Sequence, residues 1–289
     1  MKKRYLRMNL FYIPALLLIL SFVLGPLAEA FRISFTQWNG YSQDYKYIGF
    51  NNYIKLFSDT NFLLSFRNTI IYGFGSTFFQ NILGLAYAVF LNSKFKGHSI
   101  VRTFIYMPIM ISSLIMGYII YFFVQYNHGI FNEIIGLFGM APIDWMASGN
   151  RGVIIITLMN SWQYVGIAMV IYMAGLQNIP AMYLEAAEID GATPWQRFRH
   201  ITFPLLLPSI SSAVVLNLIG GLKLYDVIVS LSGGGPGFST HSLASYVSNQ
   251  YFKAQNAGYS ASVGIFTFLF IMAVSNIFTT YFNKKEVDM

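Results

Sequence analysis

The sequence contains no cysteine and few charged residues. None of its 289 residues is Cys, which excludes disulfides, thiolate metal sites and thiol catalysis. Only 10% are Asp, Glu, Lys or Arg, whereas 55% are hydrophobic, far from the usage of soluble globular domains. The composition therefore excludes a water-soluble fold and predicts a protein that crosses a membrane several times.

Acidic residues are scarcer than basic ones. The chain has 18 Lys and Arg against 11 Asp and Glu, a net charge of +7. A basic excess is typical of nucleic-acid-binding proteins, but here the charges lie between long apolar runs rather than in one patch. We therefore expect no nucleic acid partner.

Six apolar stretches are long enough to cross a membrane. A helix needs about 20 residues to span about 30 Å of hydrocarbon, because each residue rises about 1.5 Å. None of the stretches has the period of two that a strand requires. The sequence predicts an all-α fold, with six transmembrane helices in a single domain over residues 1–289. The predicted spans are residues 10–28, 68–91, 104–124, 152–176, 205–222 and 260–282.

The first apolar run also resembles a cleavable signal peptide. Basic residues precede it, and Ala28-Glu-Ala30 follows as a candidate cleavage site. The run is longer than the usual signal core and contains Pro14 and Pro26. These features favour an uncleaved first helix.

The basic residues indicate the orientation of the spans. Cytoplasmic loops are enriched in Lys and Arg. With the N-terminus inside, the basic residues of the inner segments are Lys2, Lys3, Arg4, Arg7, Lys94, Lys96, Arg102, Arg197, Arg199, Lys284 and Lys285. The outer connections (31–67, 125–151 and 223–259) are longer and poorer in them. Both termini are therefore predicted in the cytoplasm.

The second outer connection contains a short amphipathic pattern. Ile130, Ile134, Leu137 and Phe138 have the spacing of one helical face. The pattern is compatible with a helix lying at the outer membrane surface. It is equally compatible with a short helix packed on the bundle.

The inner segment 178–208 contains the pattern of two short helices. Asn178 is a candidate cap for the first, with Pro180 in its first turn and Gly191 at its end. Thr193 and Pro194 repeat the cap-and-proline start for the second.

Acidic and small residues share the first of these helices. They are Glu185, Ala186, Ala187, Glu188 and Asp190. Small side chains allow another protein to approach closely. The alternative is a solvated connector whose acids balance Arg197 and Arg199.

This segment resembles a known signature. Glu185-Ala-Ala187, followed by Gly191, is similar to the cytoplasmic "EAA" loop of permease subunits in binding-protein-dependent ABC importers. Further matches lie at residues 35–39, 48–53, 174–180 and 232–237. Together they resemble the first of the two paired permeases of carbohydrate importers, as in the maltose and glycerol-phosphate systems.

The resemblance implies a type I ABC importer permease fold and ATP-driven import of sugars across a bacterial inner or plasma membrane. It implies four kinds of partner: a second permease in a heterodimer, two ATPase subunits that hold ATP and Mg, an extracytoplasmic sugar-binding protein and the lipid membrane. The chain itself contains no G-x-x-x-x-G-K-[ST] loop, so we expect no enzymatic activity and no cofactor in it. The implied ATPase-coupling residues are Glu185, Ala186, Ala187, Glu188, Asp190, Gly191, Arg197 and Arg199.

Polar residues inside the spans are candidates for the translocation pathway, because polar groups are costly in lipid. The candidates are Asn160, Gln163, Tyr164, Asn217 and Tyr225. Hydrogen bonding between helices is the alternative for each. Gln80, Gly84 and Ala88 are expected at a helix-packing face, and Lys223 and Asp226, at i and i+3, are expected to neutralise each other.

Two other functions remain compatible with the sequence. An ATP-independent channel or secondary transporter shares the composition but has no evident need for the Glu185 to Gly191 segment. An intramembrane hydrolase using Ser260 is less compatible, because no span clearly contains a histidine. The four scattered histidines predict no metal site.

Overall fold

The computed structural model describes residues 12–93 and 95–285. The basic residues before Tyr12, and Lys94, lie outside the described residues. The chain divides into two compact units. The first comprises the residues up to Phe62 together with Tyr246–Leu269, and the second comprises Leu63–Ser245 together with the residues from Phe270 onward.

Helices dominate the described chain. In order they are α1 (Ile13–Ser34), α2 (Asn51–Leu56), α3 (Thr60–Asn92), α4 (His98–Met110), α5 (Ser113–Val124), α6 (Ile130–Gly136), α7 (Gly149–Gln177), α8 (Ala181–Ile189), α9 (Pro194–Leu205), α10 (Leu207–Leu222), α11 (Asp226–Leu231), α12 (Leu243–Ser248) and α13 (Ala257–Asn283). Strands β1 (Thr36–Gln37) and β2 (Lys46–Tyr47) pair antiparallel between α1 and α2.

The all-α membrane fold is confirmed. Among the described residues, four helices are long and apolar enough to cross a membrane: α1, α3, α7 and α13. Two bent pairs, α4 with α5 and α9 with α10, raise the number to six if each pair is one span.

The span predicted over residues 104–124 contains a sharp bend. A bend of 100° separates α4 from α5. Pro108 lies in the last, 3₁₀ turn of α4, and Ile111 is extended with ψ 129°. Proline removes a helical hydrogen bond, and the freed backbone is tolerated at membrane depth only where protein groups satisfy it. A bend of 66° also separates α9 from α10, which begins at Leu207, close to the predicted start of the fifth span.

Buried polar side chains organise the first unit. The Asn52 amide donates to the carbonyl oxygens of Ser34 and Thr36 at 2.8 and 2.9 Å. The carboxylate of Asp59 accepts hydrogen bonds from the hydroxyls of Tyr246 and Tyr259, both at 2.6 Å. These bonds fix the hairpin of β1 and β2 and the start of α3 within this unit.

The core of the second unit is the packing of α3 on α7. A Cβ at Gly84 would lie 2.6 Å from the Cβ of Ala168, which is too close for two side chains. Only glycine therefore permits this approach of α3 to α7. Ala88 and Tyr172 are buried in the same apolar cluster. The predicted packing role of Gly84 and Ala88 is confirmed, since small residues allow helices in a membrane to approach closely.

Helix α6 exposes the apolar face predicted from its sequence. Ile130 and Ile134 are 42% and 48% exposed, and Leu137 and Phe138, which follow the helix, are 85% and 77% exposed. The neighbouring Phe131 is partly buried and packs against Phe123 and Trp145. This arrangement favours the membrane-surface interpretation over packing of that face on the bundle.

Candidate functional site

A cavity with several polar residues in its lining lies within the second unit. It has a volume of about 220 Å³ and is lined by α3, α5, α7, α10 and the segment that follows α10. Its polar lining residues are Gln80, Ser113, Asn160, Tyr164, Asn217, Lys223, Tyr225 and Asp226. A cavity of this size and polarity has room for several water molecules or for part of a hydroxylated ligand.

Two amides in the lining are incompletely hydrogen-bonded. Gln80 donates to the backbone oxygen of Asn160 at 3.0 Å, but its Oε1 has no partner among the described residues. Within the same residues, the Nδ2 of Asn217 has no partner either. Both residues are almost fully buried, at 1% and 5% exposure, and an unpaired buried polar atom is costly. Both residues line the cavity, but the two unpaired atoms have almost no accessible surface, so a ligand or water reaches them only if the side chains rotate toward the cavity.

The structure brings together four of the five pathway candidates. Asn160, Tyr164, Asn217 and Tyr225 all line the cavity. The Tyr164 hydroxyl is 2.5 Å from that of Ser113, which links α7 to α5.

Gln163, the fifth candidate, lies elsewhere. It is buried, and its Nε2 donates to the backbone oxygen of Ile111 at 2.9 Å. This bond satisfies a carbonyl freed by the bend between α4 and α5. Gln163 therefore stabilises this bend and does not line the cavity.

Gln80, expected at a helix-packing face, bonds α3 to α7 there and also lines the cavity. An amide in an apolar span is the signal that could have identified it. The predicted pairing of Lys223 with Asp226 is wrong, because no ion pair joins them within 4 Å in the described chain. Both line the cavity.

The segment between α7 and α10 forms the two predicted short helices. Gly191 has φ +75°, and the N–H of Ala192 bonds the Ala187 oxygen at 2.9 Å across the end of α8. A residue with a Cβ would be strained in this left-handed conformation. Thr193 caps α9 in a capping box with Gln196, as its spacing predicts. Asn178 ends α7 and does not cap α8, whose N-cap is Pro180.

The acids of α8 point mainly to solvent. Glu185, Ala186 and Asp190 are exposed, whereas Ala187 is buried at 8% exposure. Glu188 pairs with Arg197 at 2.8 Å and so ties α8 to α9. Arg199 is exposed and lies in the π-helical turn of α9.

Large apolar side chains on this segment were missed by the sequence reasoning. Met182, Ile189 and Trp195 are 66%, 86% and 66% exposed. Their signal was present, because bulky apolar residues in a connection between spans have no core of their own to fill. Together with the exposed acids, they form a surface suited to another protein.

Ser260, the candidate nucleophile, is nearly fully buried. Its Oγ donates to the backbone oxygen of Val247 at 2.8 Å. In the part of the chain that the structure describes, no three His, Asp or Glu side chains are grouped as metal ligands.

Residues 80–287 match the family described as "binding-protein-dependent transport system inner membrane component". The matched region contains the cavity and the α8–α9 segment. The chain belongs to this family.

Two relatives of this inner membrane component match almost end to end. One is the trehalose/maltose transport system permease protein MalF of Thermococcus litoralis, 30% identical, with 93% of this chain and 91% of the relative covered. The other is the probable starch degradation products transport system permease protein AmyD of Thermoanaerobacterium thermosulfurigenes, 33% identical, with 97% and 95% covered.

A solved structure shares the fold. It is described as a bacterial ABC transporter involved in the import of the acidic polysaccharide alginate. The TM-score is 0.83 at 22% identity, and 98% of this chain and 96% of that chain are covered. The likeness establishes the type I permease fold of this inner membrane component.

Proposed function

We propose that this permease subunit imports sugars and that its cargo passes the cavity between α3, α7 and α10. Membership in the family and the names of the relatives, which include an arabinooligosaccharide permease of Bacillus subtilis, support a sugar cargo. The observation that carries the cavity assignment is the pair of unpaired amide atoms, Gln80 Oε1 and Asn217 Nδ2.

A sugar hydroxyl matches that pair because it both donates and accepts hydrogen bonds. Once the two side chains rotate toward the cavity, such a hydroxyl donates to Gln80 Oε1 and accepts from Asn217 Nδ2. Tyr164 and Tyr225 supply aromatic rings against which the C–H faces of a sugar pack. One cation, Lys223, and one anion, Asp226, line the cavity, so their charges balance and favour a neutral cargo.

Energy for import would come from partner subunits. In this proposal α8 docks in an ATPase subunit through Glu185, Ala186 and Asp190, with Met182 and Ile189 as apolar anchors. Gly191 allows the turn into α9. ATP and Mg bind to two such ATPases, and closure of the pair moves the membrane helices between inward-facing and outward-facing states.

Arg197 acts within the chain in this scheme, because it already pairs with Glu188. Its role is to hold α8 against α9, whereas the exposed Arg199 is free to contact an ATPase. A second permease completes the pathway, and an extracytoplasmic binding protein delivers the sugar. The alternative, an ATP-independent channel, leaves the exposed surface of α8 without a use.

Both termini of this multi-pass protein are proposed to lie in the cytoplasm. The basic residues Lys96, Arg102, Arg197 and Arg199 then lie on the inner side, where Lys and Arg are enriched. The same orientation places α8 where an intracellular ATPase can reach it.

Reconstitution with the second permease, the ATPases and the binding protein tests both the docking of α8 and the passage of cargo through the cavity. Glu185→Ala is expected to reduce binding-protein-stimulated ATP hydrolysis, because it removes a contact on α8. The charge swap Glu188→Arg with Arg197→Glu is expected to restore the stimulation that either single change loses.

Asn217→Ala is expected to reduce sugar uptake at least about tenfold while leaving basal ATP hydrolysis intact.

The outcomes separate the alternatives. Uptake that proceeds without any ATPase would establish a channel or secondary transporter. Stimulation unaffected by Glu185→Ala would remove the docking role of α8. Unchanged uptake and selectivity in Asn217→Ala would remove the cavity from the pathway.

A further inference from the structure

An apolar groove lies beside the N-terminal end of α7. Its volume is about 470 Å³, and α6, Trp145 and α7 form its walls. The apolar lining includes Ile134, Ile154 and Leu158, which are 48%, 56% and 45% exposed. The groove thus leaves a continuous strip of aliphatic surface uncovered by this chain.

The wall of the groove is held by hydrogen bonds. The indole N–H of Trp145 donates to Asn132 Oδ1 at 2.9 Å, and the backbone N–H of Ile143 donates to the same oxygen at 3.0 Å. The ring of Trp145 also packs edge-on against Phe131, with centroids 5.8 Å apart. The segment after α6 is therefore fastened to the helix, and the groove is formed before anything enters it.

Two basic residues lie near the end of the groove at the start of α7. Arg151 lines the groove, in the first turn of α7, and makes no ion pair within the described chain. Arg67 lies close by, because its guanidinium donates to Asn150 Oδ1 at 3.3 Å. Glu133, the acid of α6, pairs with His128 and does not line the groove. The positive end of the α7 dipole adds to the attraction for an anion.

We propose that this groove is a binding site for one anionic phospholipid, with the phosphodiester at Arg151 and an acyl chain along the apolar wall. The dimensions fit this occupant. Leu158 lies seven residues beyond Arg151, which is about 10 Å along a helix at about 1.5 Å per residue. The groove therefore runs from headgroup depth into the hydrocarbon. In the orientation proposed above, the lipid belongs to the outer leaflet.

The position of the groove on α7 argues for lipid rather than for the second permease. Successive helix residues are about 100° apart, so Leu158 and Asn160 lie about 200° apart, on opposite faces of α7. Asn160 faces the cavity. A partner that closes a pathway at the cavity approaches the Asn160 face, which leaves the Leu158 face to the bilayer.

Native mass spectrometry of the delipidated full transporter, titrated with dioleoyl phosphatidylglycerol, tests the proposal. Wild type is expected to bind one phosphatidylglycerol tightly at this site. Arg151→Gln is expected to weaken that binding about fivefold. Leu158→Trp is expected to abolish it by filling the groove.

Matched controls are available in the same chain. Lys46→Gln removes a cation far along the chain from the groove, and Ile277→Trp enlarges a 65% exposed side chain of α13. Both are expected to keep the bound lipid.

Three results would overturn the assignment. The first is equal phosphatidylglycerol binding by wild type, Arg151→Gln and Leu158→Trp. The second is complete competition by free glycerol phosphate, which would indicate an anion site without an acyl chain. The third is dissociation of the second permease from the transporter that carries Leu158→Trp while the lipid stays bound, which would indicate a protein interface.

Discussion

At the scale of single residues, the amides of the spans show how far a side chain's type predicts its role. Gln80 and Gln163 are both glutamines in apolar helices, yet one lines the cavity and the other satisfies the Ile111 carbonyl. Helical periodicity places each on a face, but the neighbour of that face depends on the bend between α4 and α5. The sequence therefore identifies buried amides but does not distinguish those that line the cavity from those that stabilise the fold.

Asp59 illustrates a carboxylate that acts in the fold rather than in transport. Its Oδ1 accepts from the backbone N–H of Asn61 at 2.9 Å at the start of α3, and its Oδ2 accepts from Tyr246 and Tyr259. Partial burial disfavours the charged form, but these hydrogen bonds outweigh it and hold the pKa of Asp59 below its ordinary value of 3.8.

A pH-dependent stability follows from that lowered pKa. The unfolded chain binds the proton more readily than the folded one, so the stabilisation by Asp59 is present above pH 3.8 and lost as the pH falls through the lowered pKa. Asp59→Asn keeps the cap but loses the charge, and we expect it to cost about 1 kcal/mol at pH 7 and less near pH 3. Thermal unfolding in detergent at both pH values measures this. An equal loss at the two pH values would contradict the ionic contribution.

At the scale of the helices, two neighbouring glycines of α10 have different neighbours. A Cβ at Gly221 would lie 2.9 Å from both the Cα of Gly73 and the oxygen of Tyr72, where α10 crosses α3. A Cβ at Gly220 would meet nothing within 4 Å, and Gly220 lines the cavity. Both glycines line the cavity, but only Gly221 is also required for the close packing of α10 on α3.

Alanine at these two positions gives a matched pair. Gly221→Ala is expected to destabilise the protein by about 1–3 kcal/mol through overpacking. Gly220→Ala is expected to leave stability unchanged or slightly raised, because alanine favours a helix over glycine, while it narrows the cavity and slows sugar uptake. Unfolding temperature and uptake, measured on both variants, separate the effects. Equal unfolding temperatures would contradict the packing argument, and normal uptake by Gly220→Ala would contradict the cavity argument.

The short helices α8 and α9 were predictable because their ends depend on local chemistry. Gly191 adopts the left-handed conformation, and Thr193 forms its capping box, within a few residues of chain. The bends were not predictable to the same extent. Pro108 and Pro204 signal a break, but its angle depends on what packs against the freed backbone.

At the scale of the whole molecule, the absence of cysteine provides a direct test of the orientation. A single cysteine introduced at Ser42 or at Ser99, both exposed, is the only thiol in the chain. With the termini in the cytoplasm, a membrane-impermeant maleimide is expected to label Ser42→Cys in intact cells. It is expected to label Ser99→Cys only after the membrane is opened. The reverse pattern would invert the orientation.

The sequence by itself determined the class, the helical architecture, the family resemblance and the local structure of the α8–α9 segment, because hydrophobic length and capping chemistry act over short stretches of chain. Only the tertiary structure decided which polar groups share the cavity, that Gln163 does not, and that Arg197 pairs with Glu188. Those facts depend on bends and helix crossings between residues far apart in the chain. Close backbone approaches, such as that of Gly84 to Ala168, set these crossings, and no local pattern encodes their geometry.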